Sequence, residues 1–132
     1  IKASQQLLEK IVSRNPNSMP AKLDLARSNL AIADAYFWYG DYSNSLKEMG
    51  KGIGQIQQLL TSDPNNTIVL YELSNALAKE GGIYYETRGF QEALNKSKEA
   101  LIVSTRLLQI DPEDRKFQAL QAMNLQSVGS TE

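Results

Sequence analysis

Residues 50–54 read Gly-Lys-Gly-x-Gly, which invites comparison with the glycine-rich loops that bind phosphate groups. Such a loop holds phosphates with backbone N–H groups and a lysine, and it requires Gly-x-x-x-x-Gly-Lys-Ser/Thr between a strand and a helix. Here no serine or threonine follows Lys51, and the apolar residues around it recur at helical spacing. We therefore interpret Gly52 as a packing residue, one that lets a second helix approach closely.

Other groups that commonly perform chemistry are scarce in this chain. It contains no histidine and no cysteine, so the commonest general base, the commonest metal ligand and thiolate chemistry are all missing. Carboxylate pairs such as Glu72/Glu80 and Asp111/Glu113 have no catalytic partner, and we interpret them as surface charges. The sequence therefore predicts a protein that is not an enzyme, with no catalytic, cofactor-binding or metal-binding residues and no cofactor.

Tyr36-Phe37-Trp38-Tyr39 is the densest aromatic cluster in the sequence. Four consecutive side chains on a helix point in all directions, so they cannot all lie in a core. An exposed Trp38 would be a good anchor for a partner. In the alternative interpretation Trp38 packs against a neighbouring helical hairpin, and the sequence leaves both interpretations open.

The elements that must position these residues are helices. Apolar residues recur at three- and four-residue steps along the chain, no window alternates as a strand does, and proline-containing breakers separate the helical stretches. Ser43 or Asn44 is expected to cap the third helix, and Asn66 or Thr67 the fourth. We predict six helices, at about 3–14, 19–39, 44–61, 67–87, 91–110 and 114–127, with a frayed tail after the last.

The helical pattern repeats. Pro16, Pro64 and Pro112 stand at positions that differ by 48, and the apolar positions between them match. A fixed period of this kind marks a repeat array, in which each unit buries its apolar face against its neighbours. We predict one domain over residues 1–132. Its parts are a leading helix at 1–14, repeats at 15–62 and 63–110, and a trailing helix at 111–128.

Two segments resemble the second helix of the tetratricopeptide repeat (TPR): residues 40–53 (GDYSNSLKEMGKGI) and 89–101 (GFQEALNKSKEAL). The family places a small, a larger and a small residue where adjacent helices cross. Its usual period is about 34 residues, and the excess here is close to four helical turns, or two for each helix. Such long repeats resemble those attached to bacterial Ser/Thr protein kinases and other bacterial signalling proteins. The matching residues are Ser45, Met49 and Gly52 in the first repeat and Ala93, Ser97 and Ala100 in the second.

The resemblance implies an all-α fold: antiparallel helical hairpins stacked as a short right-handed solenoid of about six helices. It also implies a concave groove that binds a partner. Asp34 stands where the carboxylate-binding members of the family carry asparagine, so binding of a C-terminal carboxylate is not implied. The groove would be lined by Arg27, Leu30, Asp34, Phe37 and Trp38 from the first repeat and by Asn75, Ala78, Gly82, Tyr85 and Glu86 from the second.

The predicted function is binding of a protein or peptide in that groove, by the sensor or scaffold region of a bacterial signalling protein such as a Ser/Thr kinase. A second hypothesis is self-association through apolar end residues, either Ile11 and Val12 or Phe117, Leu120 and Met123. A third is a small-molecule sensor with a deep enclosed pocket.

Charge and hydropathy narrow the class of partner. With 14 basic and 15 acidic residues the net charge is −1, which gives no field to attract nucleic acid. No apolar run is long enough to cross a bilayer. The chain begins at Ile1, and we interpret it as part of a longer bacterial protein whose compartment, cytoplasmic or extracytoplasmic, stays open.

Overall fold

A computed structural model describes residues 6–7 and 18–131. This part of the chain is helical throughout, which confirms the predicted all-α class. The predicted leading helix at 3–14 lies outside the described residues, apart from Gln6 and Leu7, which are helical. The five helices of residues 18–131 are α1 (Met19–Trp38), α2 (Tyr42–Ser62), α3 (Thr67–Glu86), α4 (Phe90–Ile110) and α5 (Arg115–Thr131).

The helix bounds follow the period of the sequence. The hairpin of α1 and α2 and the hairpin of α3 and α4 start, turn and end at positions that differ by 48, and the first residues of α3 and α5 differ by the same number. The chain forms two compact units, Ile1–Pro64 and Asn65–Glu132. Within the described part, the first unit contains the first hairpin, and the second contains the other hairpin and α5.

In the first unit α1 and α2 pack face to face. Ser18 caps α1 by accepting a hydrogen bond from the N–H of Ala21, and proline follows at the start of the helix, where its missing N–H costs nothing. Asp41 caps α2 by accepting from the N–H of Asn44 at 3.2 Å. The prediction of Ser43 or Asn44 as this cap was therefore wrong, because the helix begins at Tyr42. The core between the two helices contains Leu23, Ala26, Leu30 and Ala33 with Met49, Ile53, Ile56 and Leu59.

In the second unit α5 packs mainly on α4 and touches α3. Asn66 caps α3, as expected, and Asp114 caps α5 through the N–H groups of Lys116 and Phe117. α5 extends to Thr131, so the tail predicted to fray after 127 is helical over the described residues. Phe117 and Leu120 anchor α5, and the ring of Phe117 lies 6.2 Å from that of Tyr71.

Both hairpins turn in the same way. Gly40 (φ 80°) and Arg88 (φ 65°) have left-handed backbone conformations at equivalent positions of the two repeats. The N–H of the next residue returns to a carbonyl oxygen in the last helical turn, from Asp41 to Tyr36 at 2.9 Å and from Gly89 to Tyr84 at 2.8 Å. This closure satisfies carbonyl groups at the helix end and fixes the direction of the aromatic residues around each turn.

Candidate functional site

The turn between α1 and α2 carries a cluster of two exposed and two half-buried rings, which we call the aromatic tip: Trp38 and Tyr39 are exposed, and Phe37 and Tyr42 are half-buried. The ring of Phe37 lies 5.6 Å from Tyr42 and 5.6 Å from Trp38, the latter in an edge-to-face arrangement. Trp38 is 82% exposed and Tyr39 is 89% exposed. Trp38 is therefore not part of the core of its own hairpin.

The turn between α3 and α4 repeats only half of this arrangement. Tyr85 and Phe90 are the equivalents of Phe37 and Tyr42 in the second repeat, and their rings lie 5.3 Å apart. The two most exposed rings are not repeated, because Glu86 stands at the position of Trp38 and Thr87 at that of Tyr39. The aromatic tip is therefore specific to the first hairpin among the two that the structure describes.

The residues predicted for a groove on α1 lie on its outer side, with one exception. Arg27 is exposed and pairs with Asp24 at 3.6 Å, Asp34 is half-buried, and both lie on one helical stripe with Trp38. Leu30 is buried, and its Cδ2 lies 2.7 Å from where a Cβ on Gly52 would stand. The inclusion of Leu30 among groove residues was therefore wrong, because this side chain fills the space that Gly52 leaves open inside the hairpin.

On α3 the predicted groove residues also lie toward solvent. Tyr85 and Glu86 are exposed, and Asn75 is half-buried. The structure thus places every predicted groove residue except Leu30 on exposed or half-buried surface of its own helix. Sequence reasoning missed Tyr39, although four consecutive aromatic residues require at least one to face solvent.

Glu80 was predicted to be a surface charge, and that prediction was wrong: it is only 7% exposed. Its Oε1 lies 3.3 Å from Lys96 Nζ, and Lys96 also contacts Glu99 at 3.2 Å. Among the described residues none gives Glu80 Oε1 a well-directed hydrogen bond. Burial raises the pKa of the Glu80 carboxyl, and Lys96 opposes this rise only in part. For Lys96 burial works to lower the pKa, but Glu99 and Glu80 outweigh it and the pKa is raised.

Glu80→Gln is expected to raise the free energy of unfolding by about 1 kcal/mol at neutral pH. Because the pKa of Glu80 is raised, the folded protein binds this proton more tightly than the unfolded chain. Stability is therefore lost as the pH rises from the ordinary carboxyl range through the raised pKa. Glutamine removes that loss, and Lys96 keeps Glu99 as its partner.

Thermal denaturation as a function of pH measures this effect. The gain from Glu80→Gln should be present at neutral pH and absent in acid, where the wild-type carboxyl is protonated in both states. Glu113→Gln removes an exposed carboxylate and serves as the control. An equal gain for Glu80→Gln at all pH values would contradict the assignment to burial of charge.

Two surface depressions are open and have mixed polar and apolar linings. One, of about 570 Å³, lies between α1 and α2 beside Lys22, Leu25 and Gln55. The other, of about 460 Å³, lies beside Tyr84 and Lys96. Neither is the deep enclosed pocket on which the small-molecule hypothesis depends.

The segment Gly50–Gly54 lies in the middle of α2, as predicted, so its N–H groups bond within the helix. Gly52 is buried while Gly50, Lys51 and Gly54 are exposed, which fits a packing role for Gly52. Across residues 6–7 and 18–131, no group of three or more Asp or Glu side chains could hold a metal ion. Within the same residues no helix combines the length and apolar character needed to cross a membrane.

Comparison with known protein families gives no matching family. The search of curated proteins likewise gives no match.

Proposed function

We propose that this chain is a non-catalytic helical-repeat module that binds a protein or peptide at the aromatic tip and along the adjoining outer stripe of α1. The observation that carries the proposal is the exposure of Trp38, whose ring meets that of Phe37 edge to face. Tryptophan is enriched among the residues that dominate binding energies at protein interfaces. Two large exposed rings side by side at the end of a hairpin are costly to leave in water, and they suit the anchoring of a partner.

The TPR-like arrangement belongs to the same proposal. Three observations support it: the helix bounds repeat with the period of the sequence, the six matching small and larger residues of α2 and α4 are buried, and α5 packs on α4. We place the module in a short right-handed solenoid. We also assign it to the sensor or scaffold region of a bacterial signalling protein such as a Ser/Thr kinase, on the strength of the sequence resemblance.

Trp38→Ala tests the binding proposal. Because the side chain is exposed, the substitution should change the free energy of unfolding by no more than about 0.5 kcal/mol. Peptides selected on the wild-type protein from a displayed random library should lose binding to this variant. Ile102→Ala, which truncates an exposed residue of α4 outside the proposed surface, should retain them. Failure of the wild type to select any peptide, or undiminished binding by Trp38→Ala, would refute the proposal.

Self-association is the second candidate, and one observation favours it. Met123 and Leu125 of α5 are exposed, and Leu125, at 54%, is the equivalent of the buried Leu77 of α3. Phe117 and Leu120, which were predicted to form the associating edge, are buried within their unit, so they cannot contact a second copy. Ile11 and Val12 lie outside the described residues.

Sedimentation over a range of concentrations separates the two candidates. Self-association predicts a mass that rises with concentration for the wild type and stays monomeric for Leu125→Lys. A wild-type mass that does not depend on concentration removes this candidate.

A further inference from the structure

We propose that the aromatic tip recognises a cationic side chain, arginine or lysine, presented by the partner. The inference rests on the proposed binding function and names the chemistry of the partner segment. Three properties of the tip carry it: its charge, the orientation of its rings, and its difference from the corresponding turn of the second hairpin.

The tip is acidic. Between Arg27 and Lys47 the sequence contains two carboxylates, Asp34 and Asp41, and neither lysine nor arginine. The last turn of α1 contains no basic side chain. The stretch of chain that forms the tip therefore carries acidic side chains and no basic one.

The rings offer faces that a cation can contact. Tryptophan has the strongest cation–π attraction of the aromatic side chains, and the guanidinium of arginine can stack flat on it. Trp38 and Phe37 meet at an interplanar angle of 78°, so their ring faces point in different directions. The neighbouring Tyr39 is almost fully exposed and adds a phenol that can accept a hydrogen bond. The guanidinium of arginine can both stack on a ring and donate a hydrogen bond to the phenol, whereas an uncharged side chain lacks the cation–π attraction.

The second hairpin supplies an internal comparison. It keeps the ring pair equivalent to Phe37 and Tyr42, as Tyr85 and Phe90. At the outer positions it has Glu86 in place of Trp38 and Arg88 in place of Gly40. The second turn thus lacks the tryptophan and has its own cation, whereas the first has the tryptophan and no cation. The residues that differ are the ones that would contact a charged partner.

Trp38 is the only tryptophan of the chain, so its fluorescence reports directly on the tip. The probes are a capped tri-arginine peptide, its tri-glutamate counterpart and an uncharged tri-glutamine peptide. Tri-arginine should change the Trp38 emission saturably, and the response should weaken as salt screens the carboxylates. The other two peptides should leave the emission unchanged.

Binding of tri-arginine to three variants, measured from changes in amide chemical shifts, separates the contribution of the Trp38 ring from that of the carboxylates. Trp38→Phe keeps a ring and should bind tri-arginine slightly less well than wild type. Trp38→Leu keeps apolar area without a ring and should bind about five-fold more weakly, as expected for loss of one exposed cation–π contact. Asp34→Asn/Asp41→Asn should bind more weakly and lose most of its salt dependence. Asparagine at position 41 preserves the cap of α2, so this variant should remain folded.

Each of the following outcomes overturns the inference. Absence of a tri-arginine response, or equal binding by Trp38→Leu and wild type, overturns it. If the peptide library instead selects apolar or acidic sequences that need Trp38, the proposed binding function stands and the cationic partner is wrong. If no peptide of any kind binds, both fail. A blue shift of Trp38 on phosphatidylcholine vesicles without a response to tri-arginine would overturn it in favour of lipid.

Discussion

Asn124→Ala is expected to lower the free energy of unfolding by about 3 kcal/mol, the largest effect of any single truncation considered. Asn124 is buried in α5, and its Nδ2 donates to Ser74 Oγ at 2.9 Å, Ser104 Oγ at 3.0 Å and the Ala100 carbonyl at 3.1 Å. Alanine leaves these acceptors without that donor and opens a cavity where α3, α4 and α5 meet.

The network continues beyond Asn124. Ser104 donates to Gln121 Oε1, and Gln121 Nε2 donates to Thr105 Oγ1 at 3.0 Å. When a buried hydrogen-bond network of this kind loses one member, the polar groups that remain are left unsatisfied, and this lowers the free energy of unfolding. Loss of Asn124 should therefore loosen α5 before the hairpin that it packs on.

Chemical denaturation and amide hydrogen exchange measure the two effects. Gln126→Ala, on the exposed side of the same helix, is the control and should be within about 0.5 kcal/mol of wild type. If Asn124→Ala is no less stable than that control, or if exchange in α5 is unchanged, the network does not hold α5 in place.

Gly52→Ala is expected to lower the free energy of unfolding by about 1 kcal/mol, although alanine favours a helix over glycine. The added Cβ would lie 2.7 Å from Leu30 Cδ2, 3.0 Å from Leu30 Cγ and 3.3 Å from the Ala26 carbonyl oxygen. Overpacking of this kind costs about 1–3 kcal/mol, which outweighs the gain of about 1 kcal/mol in helix propensity.

Gly50 and Gly54 are matched controls in the same helix. An added Cβ at either meets no atom within 4 Å among the described residues that surround it. Gly50→Ala and Gly54→Ala should therefore each raise stability by up to about 1 kcal/mol. Thermal and denaturant unfolding of the three variants give the comparison. Stabilisation by all three would mean that Leu30 moves aside easily and that close approach at Gly52 is not required.

The positions of the helices could be predicted because local signals set them. Prolines, short polar caps and glycines at the turns interrupt a steady three- and four-residue spacing, and the repeat shows each signal twice. The cap of α2 was misplaced because Asp41, Ser43 and Asn44 are all suitable capping residues. The choice among them is made by where α2 begins: its first residue is Tyr42, so Asp41 is the capping residue.

The buried polar groups could not be predicted in the same way. Asn124 and Ser104 become partners through the rotation of α5 on α4, which depends on tertiary packing rather than on spacing along the chain. Glu80 did have a sequence signal: its equivalent in the first repeat is Ile32, an apolar residue on the buried face. A position that is apolar in one repeat and charged in the next should have been expected in the interior.

For the candidate site, the sequence located the exposed stripe of α1 and the rings around Trp38. The sequence could not decide whether Trp38 faced solvent. Which of four consecutive side chains faces solvent depends on how the helix packs and where it ends, and neither follows from the residue types alone. The left-handed residue Gly40 ends α1 directly after Tyr39 and leaves Trp38 and Tyr39 projecting beyond the hairpin core.

The agreement of helix bounds between the two repeats also bears on how such a chain can change in length. Recombination between the coding regions of the two hairpins would add or remove a whole hairpin, with every cap and turn retained. An insertion of one residue within a helix would instead rotate all later side chains of that helix by about 100°. Growth by complete hairpins is therefore the tolerated route, and lineages of such chains should differ in length by multiples of the repeat.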